Sequence, residues 1–302
     1  MVRSERRLLR RAAPLREGLW AYGFLLPAYL LFGAFYLWPL LQGVWLSLHE
    51  EDFLGRKAFF VGLAQYAQVL QAPEFWAGAL RSLFFALMVV PLELGLGLLA
   101  ALLVYRNYPG VALFRVLFFL TAAVPTAVAA VAWGWFLHPV GGYLNHLLQG
   151  LGLGPFPWLT HPAWALPTLA AVTAWSGVGF TAILLTAGLQ SIPEEVLEAA
   201  LVDGATPWVR FLRVTLPLLS PVLFLVGLLV VLKSLTAFGP IHLLTRGGPL
   251  ESTTVWIYRV YQDAFFNFRV PYALAEAVLL LLLLIALAAL QFWLLGRRVH
   301  YA

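Results

Sequence analysis

From Val116 to Pro193 the chain runs for 78 residues without an Asp, Glu, Lys or Arg. Such a stretch cannot cover a water-facing surface, since a soluble domain carries about 25% charged residues. Over all 302 residues the charged fraction is 11%, the hydrophobic fraction 62% and the mean hydropathy +0.86. These values predict an all-α polytopic membrane protein. There is no cysteine, which excludes disulfides, thiolate metal sites and thiol nucleophiles. Lys57 and Lys233 are the only lysines and neither follows a glycine, so a Walker A phosphate loop is absent. The net charge of +5 would suit a nucleic-acid partner, but its placement argues otherwise.

Gaps between charges divide the chain. Residues 1–17 form a basic segment with Arg3, Arg6, Arg7, Arg10, Arg11 and Arg16. Apolar spans are expected at 18–48, 79–105, 113–137, 163–189, 216–238 and 272–295, within one transmembrane domain covering 18–296. The first is too long for a signal peptide, although Pro27 and Pro39 interrupt it. Residues 139–162 are rich in Gly and Pro and read as a loop with one short helix. A short tail, 297–302, follows. Six spans place both termini on one side. Arg106, Arg115, Arg210, Arg213, Arg297 and Arg298 fall on the side of the basic N-terminus, whereas Arg56, Lys57, Arg246, Arg259 and Arg269 fall on the other. That bias predicts cytoplasmic termini, N-in and C-in.

The segment 190–217 carries the most information. Ser191 and Glu194 have capping-box spacing, and Pro193 suits a first helical turn. Glu194, Glu195 and Glu198 favour the positive end of a helix dipole. Ala199 and Ala200 leave a surface open to close approach, and Gly204 is a natural helix stop. Thr206 and Pro207 then open a second short helix. The expectation is a cytoplasmic elbow that fits a cleft in another protein.

These residues carry a resemblance. Glu198-Ala-Ala, Asp203-Gly204-Ala205 and Val214-Thr-Leu-Pro217 are similar to the EAA loop of binding-protein-dependent ABC importer permeases of the carbohydrate and glycerol-phosphate branch. Phe60-Val-Gly-Leu63, Asn145, Trp158, Thr245-Arg-Gly-Gly-Pro249 and Tyr261 with Phe265 extend the likeness along most of the chain. The resemblance implies a type I importer permease fold with cytoplasmic coupling helices. Glu194, Glu195, Glu198, Ala199, Ala200, Asp203, Gly204 and Pro217 would then couple to a separate ATPase. It implies no cofactor in this chain, with ATP and Mg held by two partner ATP-binding subunits. The other implied partners are a second, homologous permease, an extracytoplasmic solute-binding protein, the lipid bilayer and a sugar or polyol substrate; nucleic acid is not among them. A glycerol-3-phosphate-type solute is the alternative within the same class.

The resemblance also suggests substrate contacts from spans four and five, at Thr173, Ser176, Gly177, Phe180, Ser234 and Thr236. Hydroxyls can bond sugar hydroxyls, but they also bond their own helix backbone. Glu93 sits among leucines and needs a partner or a proton, which Lys233 could supply. Glu276 is expected near the outer boundary and solvated. The histidines show no metal-ligand spacing. A stand-alone secondary transporter using Glu93 and Lys233 would leave the elbow unexplained. An intramembrane enzyme would need a convergent acid, base and nucleophile set, which the spans lack.

Overall fold

A computed structural model describes residues 22–51 and 58–295. The basic segment 1–17, the start of the first span, Arg56, Lys57 and the tail 297–302 lie outside the described residues. Five helices are long and apolar enough to cross a membrane, and a bent pair makes a sixth candidate. The five are α1 Tyr22–Leu46, α3 Pro73–Val104, α7 Pro162–Gln190, the run from Ser220 to Leu244, and α14 Val270–Leu295. Within the fourth of these, α11 is Ser220–Leu235 and α12 is Gly239–Leu244. Shorter elements are α2 Ala64–Gln71, α4 Val111–Ala123, α5 Thr126–Phe136, α6 Tyr143–Gly150, α8 Glu194–Val202, α9 Pro207–Arg210, α10 Leu216–Leu218 and α13 Trp256–Phe265. The described chain is helical apart from one hairpin. In it β1 His49–Glu51 pairs antiparallel with β2 Ala58–Phe60, His49 opposite Phe60.

The expected third span, 113–137, is not one helix. Its two parts, α4 and α5, meet at an angle of 106°. The break is local chemistry. Val124 is extended, with φ −83° and ψ 120°, as the residue before a proline prefers. Pro125 then serves as N-cap of α5. Pro39 has a different outcome: α1 continues through it, and a π turn at Gly33–Leu37 widens the helix just before the residue that lacks an N–H. The same device recurs at Phe211–Thr215, just before Pro217.

The core forms where α3, α7 and α11 pack together. Phe85, Val89, Leu169, Leu185, Val226 and Val230 are among its buried side chains. Small residues let α3 and α7 approach closely. A Cβ on Gly97 would collide with the Thr181 methyl; likewise one on Gly188, where α7 meets the start of α11, would lie 2.8 Å from Leu219 Cδ1. Helix α1 stands apart from this core, with its aromatic and leucine side chains exposed. In the loop 139–162, buried Asn145 acts as a hub. Its Oδ1 accepts from Phe156 N and Trp158 Nε1, each at 2.9 Å, and its Nδ2 donates to Pro139 O at 3.0 Å.

The Gly97 contact gives a stability prediction. Gly97→Ala should destabilise the purified chain by about 1–3 kcal/mol through overpacking. Adding Thr181→Ser removes the clashing methyl and should recover part of the loss in melting temperature.

Candidate functional site

The elbow is assembled from local signals. Pro193 is the N-cap of α8, so the expected capping box between Ser191 and Glu194 does not form. Ser191 still has helical dihedrals (φ −80°, ψ −11°) as the end of α7, and its hydroxyl donates to Gly188 O at 2.8 Å. An N-cap needs non-helical dihedrals, which Ser191 lacks. Glu194 and Glu195 occupy the first turn, where the helix dipole favours them. Helix α8 stops at a paired set of bonds: Gly204 N donates to Leu201 O and Ala205 N to Ala200 O, both at 3.0 Å. This Schellman geometry requires the left-handed φ of +79° at Gly204. A Cβ there would meet nothing within 4 Å, so the constraint is backbone conformation and not space. Thr206 caps α9 by accepting from Val209 N at 3.4 Å, with Pro207 behind it.

Inwardly, Ile192, Leu197 and Leu219 join the core, which fixes the elbow to the spans on both sides. Outwardly, Glu194, Glu195, Glu198, Ala199 and Asp203 are exposed, while Ala200 and Pro217 are half-buried. Sequence reasoning passed over the apolar part of this surface. Val202 is 88% exposed and Trp208 67%, on either side of the Gly204 turn. The available signal was an apolar residue on each side of a glycine stop inside a charged segment.

The second constellation lies at membrane depth. Glu93 on α3 is 1% exposed among leucines. Lys233 on α11 reaches it, with Nζ 2.6 Å from Oε1 and 2.5 Å from Oε2. Thr181 on α7 donates to Oε1 at 3.1 Å. One carboxylate thus holds three spans. Gly177 lies directly against the pair, and a Cβ there would strike both Glu93 Oε1 and Lys233 Nζ. The Lys233 side chain remains 42% exposed.

The six suggested substrate-lining residues divide by exposure. Ser176, Phe180 and Thr236 are wholly or partly exposed; Thr173, Gly177 and Ser234 are buried. The hydroxyls of Ser176, Ser234 and Thr236 donate to Val172 O, Val231 O and Leu232 O at 2.8–2.9 Å, and Thr173 Oγ1 has no partner. Glu276 is not solvated as expected. It is fully buried against Arg259, whose Nε lies 3.5 Å from Glu276 Oε1 and 3.6 Å from Asp263 Oδ2. The cause is α13, which folds back over the start of α14; Trp256 Nε1 donates to Glu276 O at 3.2 Å. Among the described residues no group of three His, Cys, Asp or Glu could hold a metal ion.

Long apolar spans around a buried ion pair, with a capped elbow at one end, define a multi-span membrane protein. Residues 93–300 match the family described as the binding-protein-dependent transport system inner membrane component, and the chain belongs to that family. It is therefore a multi-pass inner-membrane permease of a binding-protein-dependent ABC importer. It is 34% identical over 281 residues to the sn-glycerol-3-phosphate transport system permease protein UgpA of Agrobacterium fabrum, covering 93% of this chain and 96% of that one. The same-named protein of Brucella abortus is 35% identical over 283 residues, with the same coverage. Among solved structures, a bacterial ABC transporter involved in import of the acidic polysaccharide alginate superposes with a TM-score of 0.83. It shares 22% identity, covering 97% of this chain and all of that one. A structure of the alginate transporter in complex with a pentasaccharide-bound periplasmic protein superposes at 0.82, with 22% identity over 94% of this chain and 96% of that one.

Removing one partner of the membrane pair should cost much more than removing both. Lys233→Ala leaves Glu93 buried and unpaired, at about 3 kcal/mol. Joint Glu93→Gln and Lys233→Met should recover most of the melting temperature of the detergent-purified protein.

Proposed function

We propose that this permease pairs with a second, homologous permease and with two ATP-binding subunits, and that its elbow transmits their closure to the spans. The single observation that carries this reading is the elbow itself. It is clamped to the core by Ile192, Leu197 and Leu219, yet it leaves Val202 and Trp208 uncovered beside Glu194, Glu195, Glu198 and Asp203. Ala199 and Ala200 allow close approach, and Gly204 sets the angle between the two short helices. The elbow faces the cytoplasm, with both termini, as the arginine bias requires. ATP and Mg bind the partner subunits. A binding protein delivers solute to the opposite face. Closure of the ATPases moves the elbows of both permeases and opens the path outward; hydrolysis returns it.

The solute is polyhydroxylated, a sugar or a polyol, and within that class an anionic member is favoured. Relatives named for sn-glycerol-3-phosphate transport support the same class.

Two substitutions test the coupling. Gly204→Val forces a β-branched residue into the left-handed region and tilts α9. In proteoliposomes carrying the whole transporter it should cut both uptake and solute-stimulated ATP hydrolysis by about tenfold or more. Val202→Glu should do the same by weakening attachment of the ATP-binding subunits, read as their loss from the purified complex. Attachment and uptake within twofold of wild type for both variants would contradict the reading.

A further inference from the structure

A cavity lies at the end of the bundle opposite the elbow. It has a volume of about 310 Å³ and is lined by His242, Arg246, Tyr258, Gln262 and Phe266. His242 and Arg246 come from α12 and the turn after it, Tyr258 and Gln262 from α13 and Phe266 from its C-cap, so the walls belong to two helices. The size falls within the roughly 300–1,000 Å³ of small-molecule sites. Its chemistry is one-sided. Arg246, Gln262, the Tyr258 hydroxyl and His242 all offer hydrogen-bond donors, and no carboxylate lines it. Arg246 has no acidic partner among the described residues. The Nδ1 atom of His242 is buried without a hydrogen-bond partner.

The walls are rigid. Phe238 stacks on His242 with centroids 5.1 Å apart, and Tyr261 stands edge-on to both. The turn that carries Arg246 is pinned: Arg246 N donates to Ile241 O at 2.8 Å, Thr245 and Thr253 hydroxyls meet at 2.8 Å, and Thr253 Oγ1 donates to Gly248 O at 2.8 Å. This frame holds Arg246 at φ +52°, a left-handed conformation that an arginine adopts only at an energetic cost. Gly247 follows at φ +86°, packed so tightly that a Cβ would lie 2.6 Å from Thr254 Oγ1. Structural reasons do not call for an arginine here, since glycine would relieve the strain. Burial raises the Tyr258 phenol above its usual range, and the Arg246 cation opposes that rise.

We infer that this cavity is a binding subsite for the anionic group of a polyhydroxylated solute, a phosphate or carboxylate, received at the outer mouth before it reaches the membrane-level site. Arg246 binds the anion, Gln262 and Tyr258 bond hydroxyls, and the Phe266 ring covers C–H faces. This rests on the anionic-substrate reading above.

The test uses the complete transporter in proteoliposomes, with its own binding protein saturated with sn-glycerol 3-phosphate, and maltose as a neutral comparison. Uptake and stimulated ATP hydrolysis are measured together. Arg246→Gln should lower glycerol-phosphate uptake by about tenfold, in line with loss of a charge-assisted bond, while stimulated hydrolysis stays within twofold. Arg246→Gly relaxes the backbone and should melt no lower than wild type, yet lose uptake equally; Arg246→Lys should keep about a third. Uptake within twofold of wild type for Arg246→Gln overturns the subsite. An equal fall in uptake and hydrolysis also overturns it, because Arg246 then serves docking of the binding protein. A wild-type transporter that carries maltose and not glycerol phosphate sinks the substrate reading itself, and the subsite with it, before any variant is compared.

Discussion

The contact between Glu93 and Lys233 is the point on which the membrane part of this permease depends. A carboxylate buried among leucines cannot remain charged alone, since an isolated ion in low dielectric is strongly disfavoured. Its partner comes from a different span, and its third bond, from Thr181, comes from another again. The pair therefore exists only when α3, α7 and α11 hold one register. Gly177 leaves the room for it. Apolar packing in a bilayer has little directional preference, because lipid tails are as apolar as the helix faces. Here the ionic node and the tight glycine contacts supply the direction.

That block has one attachment at each end. At the elbow end, α7 runs into Ile192 and the capped α8, and the chain returns through a π turn to α11. Both flanks are anchored in the same core, so a push on the elbow reaches the spans that hold the ion pair. At the opposite end, α13 is tied to α3 by the bond from Trp256 N to Ser82 Oγ, 2.8 Å, and to α14 through Glu276 and Arg259. The aromatic cavity beside Arg246 stands on that second tie.

Much of this was legible from charge and punctuation. Charge gaps located the spans because a bilayer excludes unpaired ions, and Gly204, Thr206 and Pro207 located the elbow turn because each has one dominant local use. Val124-Pro125 held the signal for the broken third span, but a bend inside an apolar run has no mark in hydropathy. Ser191 misled because the same Ser-x-x-Glu spacing occurs where a serine ends the preceding helix. Glu276 misled because its cover, α13, arrives from another part of the chain, and burial by tertiary contact leaves no local trace. Arg246 was visible only as part of a loop motif; its left-handed backbone and its cavity depend on bonds to Ile241 and packing on Tyr258.

The most direct test of the central claim is a distance between the block and its elbow. The chain has no cysteine, so spin labels can be placed at will. Leu96 and Leu212, the latter in the π turn of the elbow, are both exposed and suit labelling. Pulsed EPR on the assembled transporter, with and without ATP, should give one narrow Leu96–Leu212 distance unchanged by nucleotide, which broadens in the Lys233→Ala background. A wild-type distance that shifts by several ångströms on ATP binding, or that is indifferent to loss of Lys233, would contradict a block pinned by the ion pair.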